Sequence, residues 1–168
     1  MKVSDADITS MSINEAIRFF IGTYHEKMTA IVQTNRAQLL LALENRSLRN
    51  SIKPIAEHFL ILEKEILEHI NQEQKILKAY LDDKKTGFEF AGVSMYAVIK
   101  EHEGILRSVE KLGLLCNQYK TQEKDHVMYK LCIAKLNNFE QDIRRNIHFE
   151  NYVFFPKILK SGIVKSKI

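Results

Sequence analysis

Turn-forming residues are too scarce in this chain for a sheet protein. Six Gly and two Pro occur in 168 residues, where ordinary usage would supply about twenty. A β-fold of this length needs a turn every ten residues or so, drawn largely from those residue types. An all-β architecture therefore does not fit. What recurs instead is apolar residues three and four apart, as in Ile55, Phe59, Leu62, Ile66, Ile70 and Leu77. That spacing marks an amphipathic helix.

Four such stretches follow one another. Ser12 and Glu15 make a capping box, and the first pattern runs from there through Ile17, Phe20, Ile21 and Tyr24 toward Leu43, with Gly22-Thr23 as the place for a break. The polar stretch Glu44 to Lys53 closes it. Pro54 suits the first position of a second helix, which runs out near Leu81. A third begins after Gly92 and carries Met95, Ile99, Ile105, Val109 and Leu112. A fourth passes through Val127, Leu131, Ala134, Phe139 and Ile143, and Pro156 ends it. The expectation is an all-α, up-down four-helix bundle with a short N-terminal helical lead-in. It forms one domain over residues 1–168, with a core of about 12–160 and a solvated basic tail over 157–168.

Charge and composition narrow the setting. The net charge of +4 matches the four lysines Lys157, Lys160, Lys165 and Lys167, so the body balances and lacks a footprint for nucleic acid. Apolar runs such as Leu39-Leu40-Leu41 are too short to cross a bilayer. A start holding Asp5 and Asp7 is not a secretory signal. Cys116 and Cys132 read as reduced thiols, small and buried, in a cytoplasmic protein.

The informative residues are polar ones on the apolar stripes. His69 and Glu73 lie four apart on one helix face beside Ile66, Ile70 and Leu77. His25, His102 and the pair Asn146 and Glu150 stand in comparable settings on the other three helices. A buried carboxylate beside an imidazole needs a partner or a metal, because a bare desolvated charge is costly. Any one of these alone reads as an interfacial histidine or a surface glutamate. One per helix, with the four-residue step repeated, reads as a metal site. Imidazole and carboxylate without thiolate suit iron or manganese better than structural zinc.

Four segments carry a family resemblance: Tyr24-His25-Glu26-Lys27, Glu68-His69 through Glu73, Lys100-Glu101-His102-Glu103, and Asn146-Ile147-His148-Phe149-Glu150-Asn151 through Phe155-Pro156. Over about residues 12–160 the chain resembles hemerythrin-type HHE bundles, and within them the di-iron repair of iron centres subgroup. The resemblance implies a centre of two iron ions, with or without an oxo or hydroxo bridge, held by four histidines and two bridging glutamates. His25, His69 and His102 match three of the histidines, and Glu73 and Glu150 match the carboxylates. The fourth histidine falls on Asn146, a weak, neutral ligand or none, so one iron is expected to be held less tightly and the centre to be partly occupied. The cysteine-bearing N-terminal domain of many subgroup members is expected to have no counterpart, which would leave out a thiol-assisted step.

The remaining polar residues are expected outside the ligand set. His58 reads as an interior or rim histidine, His126 as surface, and His148, some 200° around the helix from Asn146, as surface or as a neighbour of the ligands. Tyr24 and Tyr96 could donate hydrogen bonds near the metals or pack as core aromatics. The resemblance implies iron–sulfur cluster repair under nitrosative or oxidative stress, with damaged iron–sulfur proteins as partners and O2 or NO as small ligands. Two alternatives stand beside it. One is a module that binds O2 or NO or senses iron without turnover. The other is a degenerate bundle acting as an interaction protein.

Overall fold

The structure, a computed structural model, describes residue 8, residues 10–82 and residues 86–163. Among the described residues the regular structure is helical, with no strand, and it forms the all-α bundle of four long helical stretches that the sequence predicts. The first is α1 (Ile13–Phe19), a π-helical turn (Phe20–His25) and α2 (Glu26–Glu44). The second is α3 (Arg49–Asp82) and the third α4 (Thr86–Leu115). The fourth is α5 (Val127–Phe149), a second π-helical turn (Glu150–Phe154) and α6 (Phe155–Ile163). No helix of the described residues is long and apolar enough to cross a membrane.

The start of α1 follows the predicted chemistry. Ser12 N–H donates to Glu15 Oε2 at 2.9 Å, and Glu15 N–H donates to Ser12 Oγ at 3.4 Å. Such a cap contributes about 1 kcal/mol by occupying donors the first turn leaves open. The lead-in before Ser12 lies mostly outside the described residues.

Four boundaries differ from the sequence reading. Gly22-Thr23 does not break the first stretch; the helix widens there into a π turn and continues. Pro54 stands inside α3 rather than at its start. Asn45 carbonyl accepts from Leu48 and Arg49 at 3.1 and 3.0 Å, and burial of Leu48 and Ile52 rewards the extra turn ahead of the proline. The carbonyl that Pro54 leaves without a donor belongs to Asn50, an exposed residue. The third helix starts at Thr86 rather than after Gly92; a glycine inside a helix costs only about 1 kcal/mol. Pro156 does not end the fourth stretch. Phe155 N–H bonds back five residues to Glu150 carbonyl, so Pro156 enters in the first turn of a new α segment, where its missing donor does least harm. Lys157 and Lys160 accordingly lie on α6 rather than on a solvated tail, and Lys165 and Lys167 are outside the described residues.

The chain divides into two compact units. One takes in the described residues up to Glu26, His69–His102 and those from Arg145 on. Its core is aromatic: Phe20, Phe149, Phe154 and Phe155 are buried with Ile17, Leu77, Met95, Val98 and Ile158. Phe20 stacks on Phe154 at 4.1 Å and on Tyr24 at 5.4 Å. The other unit, Lys27–Glu68 and Glu103–Arg144, buries Val32, Leu39, Ile55, Leu62, Val109 and Leu136, with Phe59 and Phe139 in contact at 5.3 Å. His58 belongs here, its Nε2–H donating to Ser108 carbonyl at 2.7 Å. Cys116 and Cys132 are buried free thiols of this unit, and burial, with Glu140 and Cys132 nearby, pushes Cys116 up to about 12.

Candidate metal centre

Five of the predicted ligands come together in the first unit, all nearly sealed: His25 and His102 are 1% exposed, Glu73 and Glu150 2%, and His69 7%. His69 and Glu73 are one turn apart on α3, with His69 Nε2 3.5 Å from Glu73 Oε1. His102 Nε2, from α4, lies 3.7 Å from Glu73 Oε1 and 2.9 Å from Glu150 Oε2. His69 Nε2 and His102 Nε2 are 2.9 Å apart. One donor atom from each of His69, Glu73, His102 and Glu150 thus falls within 4.8 Å of the other three. His25 reaches the other carboxylate oxygen, with Nε2 2.9 Å from Glu73 Oε2. It closes the first π turn and Glu150 opens the second. Such turns shift the register of everything after them and occur often at functional sites.

The outer nitrogens decide which inner atoms hold protons. His69 Nδ1 lies 3.1 Å from Glu101 Oε2, and His102 Nδ1 lies 2.8 Å from Asn151 Oδ1. Both partners accept, so both Nδ1 atoms carry the hydrogen and both neutral imidazoles turn an Nε2 lone pair inward. Two lone pairs 2.9 Å apart repel unless positive charge sits among them. Glu73 Oε1 and Glu150 Oε2 also face this space without a well-directed hydrogen bond, although His102 Nε2 is close to both. Atoms that converge without bonding one another are what a cation site requires. Donors about 2.0–2.2 Å from a common ion stand roughly 3–4 Å apart, in line with the 2.9 to 3.7 Å separations here. The residues fit a cation.

Protons compete for the same space. Burial would disfavour the imidazolium of His102, but the Glu150 and Glu73 carboxylates beside its Nε2 outweigh that and raise it from 6.5 to about 10. Burial raises Glu73, yet the nearby His102, the hydrogen bond from His25 and the charge of His69 bring it down to about 2. Burial and the Glu73 anion push Glu150 up from 4.5 to about 8. Stability contributed by His102 is complete below pH 6.5 and lost as pH rises through about 10. Glu150 acts in the same direction between 4.5 and about 8, while Glu73 loses its contribution only as pH falls from 4.5 toward 2. The melting temperature of chelator-treated protein should therefore fall from pH 6 to pH 9. Thermal melts across that range check it, and a rise would contradict the proton-filled cluster.

The sixth position differs. Asn146, on the last turn of α5, donates its amide Nδ2–H to Glu150 Oε1. His148 is exposed and rests against the exposed Tyr152 at 4.7 Å, away from the cluster's buried donors. Tyr24 packs on Phe149 at 5.0 Å as a core aromatic. Tyr96 is 69% exposed, because it falls on the solvent side of α4 rather than among the inward residues. His126 is exposed, its Nδ1 accepting from Met128 N–H at 3.1 Å. The sequence reading missed Glu101 and Asn151 as the residues that orient His69 and His102. Each is the immediate chain neighbour of a proposed ligand, which is the signal that could have found them.

The family described as the hemerythrin HHE cation binding domain matches residues 18–158. The iron–sulfur cluster repair protein YtfE of Yersinia pseudotuberculosis is 24% identical over 163 residues, 94% of this chain and 71% of that protein. The iron–sulfur cluster repair protein ScdA of Staphylococcus epidermidis is 25% identical over 95 residues, 55% of this chain. The match covers 42% of ScdA, less than half of that protein's length.

Proposed function

The chain belongs to the hemerythrin HHE cation-binding domain family, and on that premise we propose that it is a non-haem di-iron protein serving iron–sulfur cluster repair under nitrosative or oxidative stress. The observation that carries this reading is the pair of Nε2 atoms of His69 and His102, facing each other at 2.9 Å with their Nδ1–H groups already engaged. In this proposal Glu73 and Glu150 would be shared by two irons, with His69 and His102 helping to hold one and His25 the other. The donor set of imidazole and carboxylate suits iron. Ferrous iron held there would supply the chemistry of binding O2 or NO.

The protein's own part is to orient and to enclose. Glu101 and Asn151 hold the tautomers of His69 and His102, so their Nε2 atoms need no rearrangement on metal uptake. Phe20 meets His25 edge-on at 4.6 Å, and Phe155 lies parallel to His102 at 6.1 Å. These rings exclude water from the inner donors. Damaged iron–sulfur proteins are the proposed clients, in keeping with the relatives being iron–sulfur cluster repair proteins. A cytoplasmic setting agrees with two buried thiols that remain unpaired.

Asn146 favours a second reading, a degenerate bundle that acts through interactions alone, and the enclosed donors oppose it. Iron per chain in protein purified without air separates the two. Retained iron, with a melting temperature that drops on chelation, is the expected result, since ligand binding to the folded state adds stability. Iron-free protein that takes up none on anaerobic reconstitution, and that chelators do not affect, overturns the proposal.

A further inference from the structure

We propose that the centre is built unequally: one cation is held tightly by His69, Glu73, His102 and Glu150, and a second is held weakly and exchangeably on the His25 side. This rests on the reading of the cluster as a metal centre and adds which half binds first and why. Three observations separate the halves. The tight half has four buried donors within 4.8 Å of one another, whereas His25 meets only Glu73 Oε2 among them. Both imidazoles of the tight half have an engaged Nδ1, to Glu101 and to Asn151. His25 Nδ1 is enclosed with no hydrogen-bond partner, so no outer acceptor turns an Nε2 lone pair toward a metal, and its Nε2–H is spent on Glu73 Oε2 instead. Such outer partners are worth about 10–100-fold in metal affinity.

The third difference is Asn146. A carboxylate that holds a metal is ionised and only accepts, so the group facing Glu150 Oε1 is the amide NH2. Asn146 is thus a competitor for the Glu150 oxygen that remains once Oε2 is taken up beside His102. A second cation must displace the amide or turn it over, and then gains a neutral oxygen in place of an imidazole. Both costs fall on the His25 side alone.

Anaerobic titration of metal-free protein with Fe2+, followed by calorimetry, reads the two affinities directly. The expected result is one tight equivalent and a second about 100-fold weaker or more, the combined cost of a lost ligand and a missing outer partner. Asn146→His should bring the second equivalent to within about tenfold of the first. His25→Ala should remove the weak equivalent and leave the tight one, which keeps the test decisive if Asn146→His fails to fold. Two equal tight equivalents in the parent overturn the inequality while leaving the di-iron function standing. So does His25→Ala abolishing the tight equivalent. An Asn146→His protein that folds with an unchanged second affinity overturns the role given to Asn146. No Fe2+ uptake at all overturns the metal-centre reading itself.

Discussion

Glu73→Ala should strip the protein of iron far more completely than His25→Ala. Among the described residues, Glu73 is the side chain whose two oxygens serve different histidines. Oε2 is 2.9 Å from His25 Nε2, and Oε1 faces His69 and His102 at 3.5 and 3.7 Å. Its removal takes a donor from both halves of the centre and leaves three buried imidazoles around a lost anion. His25→Ala removes a donor from one half only. Loss of even an outer partner costs about 10–100-fold in affinity, and loss of a shared ligand should exceed that. Iron per chain after anaerobic dialysis, with the melting temperature of the loaded protein, distinguishes the two variants. Equal iron and equal melting temperatures would sink the assignment of Glu73 as the shared carboxylate. Glu73→Gln, which keeps the shape and removes the charge, should lose iron as well.

Phe20→Ala should cost about 3–5 kcal/mol of stability, the range for removing a fully buried aromatic ring. Phe20 has no exposed surface, stacks on Phe154 at 4.1 Å and borders Phe149 at 6.2 Å. For a chain of this length that corresponds to a melting temperature lower by roughly 6–20 °C. The ring also meets the His25 imidazole edge-on at 4.6 Å, so the variant should release metal from the His25 side before the other. Phe20→Leu refills much of the volume and should recover most of the stability. A loss below about 1 kcal/mol on Phe20→Ala, a size more typical of ordinary substitutions, would mean that the core collapses around the gap.

The helices were legible in the chain because each one's apolar stripe is a local property. Ile55, Phe59, Leu62 and Ile66 had to face one way whatever lay opposite. The same logic carried His25, His69, Glu73, His102 and Glu150 inward, and all five are buried. It failed at Pro54, Gly92 and Pro156, where the helices run through local signals for a boundary. Burial of Leu48 and Ile52 extended α3 ahead of its proline, and a π turn carried the last stretch past Pro156. Tyr96 shows the limit from the other side, since an aromatic near a candidate ligand need not share its face.

Composition and periodicity by themselves determined an all-helical chain, its four stripes and the imidazole and carboxylate groups turned into its interior. Only the tertiary structure decided what those groups do to one another. Glu101 selects the tautomer of His69 across 32 residues, and Asn151 that of His102 across 49. Asn146 spends its amide on Glu150 rather than offering an oxygen. A stripe says which way a side chain points. The register between helices, altered here by two π turns, sets which atom meets which, and hydrogen-bond direction at about 3 Å is settled only there.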